Sequence, residues 1–106
     1  NALDQASVEW VRKPAGIVAY GAVGGTRAAE QLRLIAVELQ MVPVKSAVHI
    51  GGADMFKVHP MGGGDGDISK IEANLLPAAK AMLDDVVWWA NATLAANAAG
   101  ISRAAA

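Results

Sequence analysis

A loop with three glycines is the clearest candidate for a chemical role in this 106-residue sequence. It reads Gly21-Ala22-Val23-Gly24-Gly25, follows an apolar run and precedes a helical pattern. Glycine lets a flat or anionic ligand approach the backbone closely, and the first N–H groups of a helix attract negative charge. The alternative is a tight turn that needs positive φ, and spacing alone leaves both interpretations open. The loop matches neither the Gly-Lys-Ser/Thr phosphate motif nor Gly-x-Gly-x-x-Gly.

The other polar residues favour structural roles, and we assign none of them as catalytic. His49 and His59 have no further residues around them at metal-ligand spacing, so we expect no metal site. Asp65 and Asp67 lie in a glycine run that resembles a calcium loop only faintly, because no glutamate ligand follows. A solvated turn is the better interpretation of that run.

Two buried strands and the helix between them must position the glycine loop. Residues 16–20 and 44–50 are short apolar runs typical of strands that are covered on both faces. Apolar spacing predicts a helix over residues 27–41, capped by the Thr26 hydroxyl and ended by Pro43. A strand, a helix and a strand imply a right-handed crossover, so we predict an α/β fold with a parallel sheet. The loop would then lie at the carboxyl edge of that sheet, where such folds bind ligands.

The second half of the chain contains one long helical pattern. Residues 55–58 predict a short strand, and a glycine-dense loop follows them. Ser69 and Glu72 match a capping box that would begin a helix over residues 70–97. Pro77 would either kink this helix or begin a new one.

The first helix carries apolar side chains on two faces, so both faces need cover. The face that we expect against the sheet consists of Ala28, Leu32, Ile35, Ala36 and Leu39. The opposite stripe, which we expect at contacts between subunits, consists of Leu34, Val37 and Met41. For Trp88 on the long helix, a subunit contact and cover by another part of the chain remain open alternatives.

Composition excludes several classes of function. Nine basic and ten acidic side chains leave a net charge of −1, so we expect no nucleic-acid partner. The absence of cysteine excludes a disulfide scaffold, a thiolate metal site and a cysteine nucleophile, and it fits a reducing compartment. No apolar run reaches the roughly 18–20 residues that a membrane span needs, and no signal peptide is visible. We therefore expect no membrane partner and a cytoplasmic location.

Several segments around the glycine loop carry a resemblance to a known family. They are Lys13-Pro14, Ile17-Val18-Ala19-Tyr20-Gly21, Gly24-Gly25-Thr26-Arg27-Ala28 and Gln31-Leu32-Arg33, with support from Asn1-Ala2-Leu3-Asp4, Val42-Pro43-Val44 and Gly51-Gly52. In this order they resemble the NADPH-dependent FMN reductase family over nearly the whole chain. The resemblance implies a flavodoxin-like three-layer sandwich around a parallel sheet, with FMN and NADPH as cofactors.

Two motifs of that family are missing from the sequence. Its phosphate-binding Gly-Ser-x-Arg loop and its Glu-Tyr-Asn-Gly flavin loop would both precede Asn1, and Gln5 stands where the family often has tryptophan. The resemblance therefore implies that residues 1–106 are the C-terminal part of a single flavodoxin-like domain, with its last strands and helices. Without a phosphate loop, we expect the chain alone to hold FMN weakly.

The resemblance also implies a site and an activity. In the family, the loop after this strand approaches the isoalloxazine ring, which assigns cofactor binding to Val18, Ala19, Tyr20, Gly21, Gly24 and Gly25. Tyr20 would stack on the ring or form one side of its pocket. A purely structural role, as an aromatic residue at the end of a strand, is an equal alternative. The implied enzyme is an FMN-dependent NAD(P)H oxidoreductase that passes hydride from nicotinamide to flavin. A quinone, an azo compound, a metal ion or oxygen would then receive the electrons.

Two other functions remain as alternatives. The chain would act as a non-catalytic half-domain for binding or assembly, or as a one-electron carrier of the flavodoxin type. Carriers of that type tend to be acidic, and the near-zero net charge argues mildly against this alternative. The enzymatic interpretation expects a small-molecule electron acceptor and a homodimer or tetramer.

Overall fold

A computed structural model describes residues 2–100 of the chain. The four strands are β1 (Pro14–Ala15), β2 (Val18–Tyr20), β3 (Val42–Pro43) and β4 (Val48–Ile50). The three α-helices are α1 (Thr26–Glu38), α2 (Gly52–Val58) and α3 (Glu72–Ala98). Short 3₁₀ turns occupy Ala2–Gln5, Val8–Trp10, Pro60–Gly62 and Ile68–Ile71. No helix within residues 2–100 combines the length and the hydropathy that crossing a bilayer requires.

The strands pair in parallel as two short ladders. β1 pairs with β3 and β2 pairs with β4, and in the second ladder Ala19 lies opposite His49. The predicted α/β class with parallel strands is confirmed. The described strands form two two-stranded sheets in place of one continuous sheet, and the three-layer sandwich stays a prediction.

Arg33 fills the gap between the two ladders. Pro14 pairs with Val42, 28 positions on, whereas Val18 pairs with Val48, 30 positions on, so two extra residues lie between β3 and β4. The Arg33 guanidinium donates from Nη1 to the carbonyl oxygen of Val44 at 2.7 Å and from Nη2 to that of Lys45 at 3.1 Å. At this gap the two carbonyl groups are not part of a ladder, and the Arg33 side chain supplies their hydrogen bonds.

Helix α3 covers one face of the sheet. Val44, Val48 and Met82 form the buried cluster, and half-buried side chains pack around it: Ile50, Leu75, Ala78, Ala79 and Val86. Because side chains alternate along a strand, Val18 and Tyr20 point to the same face as their partners Val48 and Ile50. Val18 and Tyr20 nevertheless remain exposed.

The sheet-facing side of α1 differs from the prediction. Ala29 and Ala36 are buried, whereas Leu32 and Ile35 are both more than a third exposed. Small side chains let the helix approach two short strands closely, and Arg33 reaches the gap from the same side. The larger side chains of Leu32 and Ile35 are left partly exposed beside this contact. On the opposite side, Leu34 is exposed, as the second stripe requires.

The beginning and end of α1 also correct the prediction. Gly25, at φ 64°, is the N-cap, and Thr26 is the first helical residue with no side-chain capping bond. The helix ends at Glu38, before Pro43, which lies in β3. The chain reverses after Gln40, at φ 63°, so the proline is not needed to end the helix.

Residues 55–58 lie in helix α2, so the predicted short strand is wrong. A four-residue segment with three apolar side chains is too short to carry a periodicity that separates strand from helix. In the structure Met55 and Val58, three positions apart, are half-buried while Phe56 is exposed, which is a helical pattern.

The predicted capping box is absent from the long helix, whose N-cap is Ile71 and which has no side-chain capping bond. The side-chain cap lies one turn earlier, where Asp67 accepts a hydrogen bond from the Ser69 amide at 3.1 Å. The turn Ile68–Ile71 follows, and α3 then runs continuously through Pro77 to Ala98. Gly100 adopts φ 77°, which suits the predicted helix stop.

Candidate functional site

The glycine loop, residues 21–25, follows β2 at the carboxyl edge of the parallel pair. The Gly21 amide donates to the Ile50 carbonyl at 3.0 Å, and the Gly52 amide donates to the Ala22 carbonyl at 3.0 Å. The segments after β2 and β4 are therefore hydrogen-bonded to each other. This edge is where open α/β folds bind ligands.

A second pair of contacts fixes the middle of the loop. A Cβ on Gly51 would come within 2.7 Å of the Gly24 Cα, so the two backbones touch where only glycine fits. His49 Nδ1 lies 2.7 Å from the Gly24 carbonyl oxygen. Because a carbonyl only accepts, Nδ1 carries the proton and donates it. The loop is thus held from β4 by a side chain and by a backbone contact.

Sequence reasoning missed the role of His49. The available signal was its position in the strand. It alternates with Val48 and Ile50 and so points to the other face, beside Ala19 and the start of α1. Only the register of the parallel pair places it next to Gly24.

All three glycines of the loop have a conformational reason to be glycine. Gly21, Gly24 and Gly25 adopt φ angles of 153°, 76° and 64°. A Cβ on Gly25 would also lie 2.9 Å from Ala19 Cβ and 3.0 Å from the backbone of Tyr20. The tight-turn interpretation therefore accounts for the glycines themselves. A ligand role needs other support and stays a prediction.

The structure brings four of the six predicted site residues together. Val18, Ala19, Tyr20 and Gly25 line a cavity of about 230 Å³, the first cavity, which continues along α1 at Ala28, Ala29 and Leu32. Gly21 and Gly24 do not line this cavity, and Gly24 is the buried residue of the loop. Tyr20 is 69% exposed, so its ring is accessible.

Tyr20 also lines a second cavity, which sequence reasoning missed. This second cavity has a volume of about 280 Å³ and lies between the ends of β2 and β4 and the segment formed by residues 55–71. The sequence signal for it was masked by the interpretation of residues 55–58 as a strand. Tyr20 is therefore the shared wall of two neighbouring cavities.

Backbone donors remain available in the glycine loop. The Gly21 amide bonds to Ile50, and the Gly24 amide bonds to the Gly21 carbonyl at 3.1 Å. The Ala22 and Val23 amides make no hydrogen bond within residues 2–100. Helix α1 begins at Thr26, three residues after Val23, without a side-chain cap, so its first amides add positive potential at this end of the loop.

The acidic turn at residues 65–67 uses its oxygens internally. Asp65 pairs with Lys70 at 3.1 Å and accepts the Asp67 amide at 3.0 Å. Asp67 in turn caps the 3₁₀ turn before α3. In the described part of the chain, no three His, Asp or Glu side chains are grouped as a metal site would require.

The comparisons with known proteins address the first half of the chain. A family model described as NADPH-dependent FMN reductase matches residues 1–54, just over half of the 106 residues. The match includes β2, the glycine loop, α1 and β4, whereas most of α2 and all of α3 lie beyond it. The comparisons with curated proteins and with solved structures gave no match. The chain belongs to the NADPH-dependent FMN reductase family.

Proposed function

We propose that this chain supplies one wall of an FMN site in an NAD(P)H-dependent oxidoreductase. The observation that carries the proposal is the exposed Tyr20 ring beside the glycine loop, at the carboxyl edge of two parallel strands. Both features lie within the residues that match the family. Bound FMN supplies the hydride chemistry between nicotinamide and a small-molecule electron acceptor, and the protein supplies shape and hydrogen bonds.

The residues present fit a flat ring with polar edges. Tyr20 and Val18 offer an exposed apolar surface next to the first cavity, which suits stacking or edge contact with an aromatic ring. The free amides of Ala22 and Val23 suit ring carbonyl oxygens. The sequence contains no Gly-Ser-x-Arg phosphate loop, so this wall would hold the ring rather than the phosphate.

In this role the chain positions the ring and excludes water from one side of it. The contacts of the loop with His49 and Gly51 keep the Ala22 and Val23 amides in place before any ligand binds. None of the proposed site residues acts as an acid or a base. Arg27, exposed in the first turn of α1 and without an ion pair in residues 2–100, is available to a cofactor phosphate or an anionic substrate.

A titration of the full-length protein with FMN, followed by flavin fluorescence, tests the proposal. We expect Tyr20→Ala to weaken FMN binding by about fivefold, since a stacked ring contributes on the order of 1 kcal/mol. Phe56→Ala is the matched control, because Phe56 is a half-exposed aromatic that lines neither cavity. The absence of FMN binding, or equal effects of both substitutions, would reject the proposal.

We also propose that α1 contributes to subunit contacts. Leu34 and Val37 are exposed on one side of the helix, and Met41 is half-buried just beyond its end. Together they form the apolar stripe for which a partner surface is the usual explanation. Trp88 is exposed and packs edge-to-face on Trp89 at 5.1 Å, and the two alternatives for it stay open.

Sedimentation of the wild-type protein and of two lysine variants tests the assembly proposal. Leu34→Lys should shift a dimer or tetramer towards monomer by placing a charge in the contact. Leu76→Lys, at an exposed leucine on α3, should leave the assembly state unchanged. A wild-type monomer, or no shift with Leu34→Lys, would contradict the proposal.

A further inference from the structure

A third cavity lies at the other end of the parallel strands from the glycine loop. It is formed by residues 11–14, at the beginning of β1, and by residues 90–97, in the last turns of α3. The glycine loop, in contrast, follows the end of β2. The third cavity has a volume of about 190 Å³, and a dry cavity of about 150 Å³ holds one benzene ring. It therefore has room for a molecule built on about one small ring.

The lining of the third cavity combines an apolar part with a basic part. Its apolar residues are Val11, Pro14, Ala90 and Leu94. Its polar residues are Arg12, Lys13, Thr93 and Asn97. None of its described lining residues is acidic. The cavity thus joins an apolar surface to two positive charges that no carboxylate of the lining neutralises.

Arg12 is the charged residue of this cavity that most clearly lacks a partner. Its side chain is partly buried and makes no ion pair or hydrogen bond within residues 2–100. Partial burial removes water from the guanidinium, so leaving it without an acceptor has a cost in free energy. A carboxylate offers two oxygens in the planar arrangement that the guanidinium fork matches.

The end of α3 does not account for the two cations. Lysine and arginine side chains often bind the last carbonyls of a helix, which is the alternative role here. The Ala95 and Asn97 carbonyls instead accept hydrogen bonds at 3.0 Å from the backbone amides of residues 99 and 100. Within residues 2–100, neither Arg12 nor Lys13 donates a side-chain hydrogen bond to this helix end. Both cations remain available to a ligand.

The backbone of Arg12 is fixed in a conformation that the turn alone would favour for glycine. Val11 has φ −57° and ψ 123°, and Arg12 has φ 63°. The Lys13 amide closes the turn by donating to the Trp10 carbonyl at 3.0 Å, and the Arg12 amide donates to the Gln40 carbonyl at 2.7 Å. A type II turn has these angles and favours glycine or asparagine at its third position. The arginine side chain therefore starts from a rigid backbone, which reduces the entropy lost on binding.

We propose that the third cavity binds a small monocarboxylate whose apolar body is about the size of one ring. The carboxylate pairs with Arg12, Lys13 adds positive charge beside it, and the apolar body lies against Val11 and Leu94. Inorganic phosphate fits less well, because the apolar part of the lining leaves some of its oxygens without hydrogen bonds. The inference does not rest on the proposed function, since the cavity lies at the other end of the strands from the candidate FMN site.

Three probes test the site on the full-length protein, with amide chemical shifts followed by NMR at constant ionic strength. Benzoate should give saturable shifts at residues 11–14 and 90–97. Benzamide has the same shape without the charge and should bind about tenfold more weakly, because hydrogen bonds between charged groups are the stronger ones. Inorganic phosphate should give no saturable shifts there. Equal affinities of benzoate and benzamide, or saturable phosphate binding at these residues, would overturn the proposal.

Two glycine variants separate the arginine side chain from the turn that holds it. Arg12→Gly and Gln40→Gly each remove a side chain at φ 63°, an angle that glycine adopts freely, so both variants should stay folded. Arg12→Gly should weaken benzoate binding by about tenfold or more. Gln40→Gly is the matched control and should leave the affinity unchanged, because Gln40 does not line the third cavity. Equal effects of the two substitutions, or unchanged affinity in Arg12→Gly, would contradict the site.

A pair of lysine variants tests whether the positive charge acts locally. Lys13→Met should weaken benzoate binding by about threefold, as expected for an exposed charge beside the carboxylate. Lys45→Met, at an exposed lysine outside the cavity, should leave the affinity unchanged. Equal losses in both variants would assign the attraction to the charge of the whole protein and would reject the site.

A competition with FMN separates this inference from the proposed function. Saturating FMN should leave the benzoate affinity unchanged, because the first and third cavities share no residue. Displacement of benzoate by FMN, with benzoate shifts at the residues of the first cavity, would place the carboxylate there and overturn the inference. If the protein does not bind FMN, the proposed function fails, and benzoate binding alone decides the role of the third cavity.

Discussion

The chain has two glycine-rich loops that look alike in sequence and differ in what they leave free. In the glycine loop of residues 21–25, the Ala22 and Val23 amides have no partner within the described residues. In the second glycine loop, residues 62–66, each glycine amide donates to a carbonyl oxygen of residues 58–60. Glycine density thus indicates close backbone packing in both loops. The two adjacent free amides of Ala22 and Val23, and the position after a strand, distinguish the loop with a candidate ligand role.

The largest effect should come from the contact between Gly51 and the glycine loop. Gly51→Ala places a Cβ against the Gly24 backbone, which cannot rotate away, so we expect a loss of about 3 kcal/mol in the free energy of unfolding. Gly16→Ala is the matched control. Its Cβ would lie 2.9 Å from the flexible Met82 Sδ, and its cost should stay within about 1 kcal/mol. Chemical denaturation measures both, and equal losses would show that the backbone contact is unimportant.

The same comparison explains how much of the fold the sequence could predict. The apolar runs before and after the first helix predicted the parallel pair, because a short run between turn residues has few other uses. The strand predicted at residues 55–58 was wrong, because three apolar residues in a four-residue segment fit a helix as well as a strand. The predicted capping box was wrong because Asp67, two residues before Ser69, takes the capping role at this turn. Sequence spacing alone cannot decide which of the two side chains accepts the capping hydrogen bond.

The site was predictable only in part, for a related reason. The sequence predicted the position of the glycine loop, which follows from strand order and local composition. The contacts of His49 with Gly24 and of Tyr20 with the second cavity depend on register and on a distant segment. Such contacts form only when residues far apart in the chain meet, and no local pattern encodes them.

A smaller effect is expected in the second glycine loop. Gly64→Ala places a Cβ against α2, but this loop is more exposed and shifts more easily, so we expect a loss of about 2 kcal/mol. The two loops should also separate functionally. Gly64→Ala should leave FMN binding unchanged, whereas Gly51→Ala should weaken it. Titration of both variants with FMN checks this, and equal losses of affinity would remove the distinction between the loops.

The hydrogen bond from His49 Nδ1 to the Gly24 carbonyl should contribute about 1 kcal/mol to the free energy of unfolding, as a single partly buried hydrogen bond does. His49→Phe removes the Nδ1 donor and leaves the Gly24 carbonyl without it. His49→Asn retains an N–H near the Nδ1 position and should recover much of the loss. Thermal unfolding and hydrogen exchange of the loop amides measure the difference. If both variants behave alike, the hydrogen bond does not hold the loop.

The smallest effect concerns the charges beside the second glycine loop, and it depends on pH. A hydrogen bond from the Asp67 amide, followed by the contact with Lys70, holds the pKa of Asp65 below its usual value of 3.8. Because the folded-state pKa is the lower one, the ionised carboxylate stabilises the fold above the unfolded-state pKa. That contribution is lost as the pH falls through the folded-state pKa.

The stability difference between the wild type and Asp65→Asn should therefore shrink as the pH falls below the usual carboxyl pKa of 3.8, with no comparable trend near neutrality. In a Lys70→Met background the trend should weaken without disappearing, because the larger cause, the Asp67 amide, remains. Urea unfolding at a series of pH values measures both backgrounds. A trend abolished by Lys70→Met would assign the lowered pKa to the ion pair. The Asp67 amide would then not be the main cause of the lowered pKa.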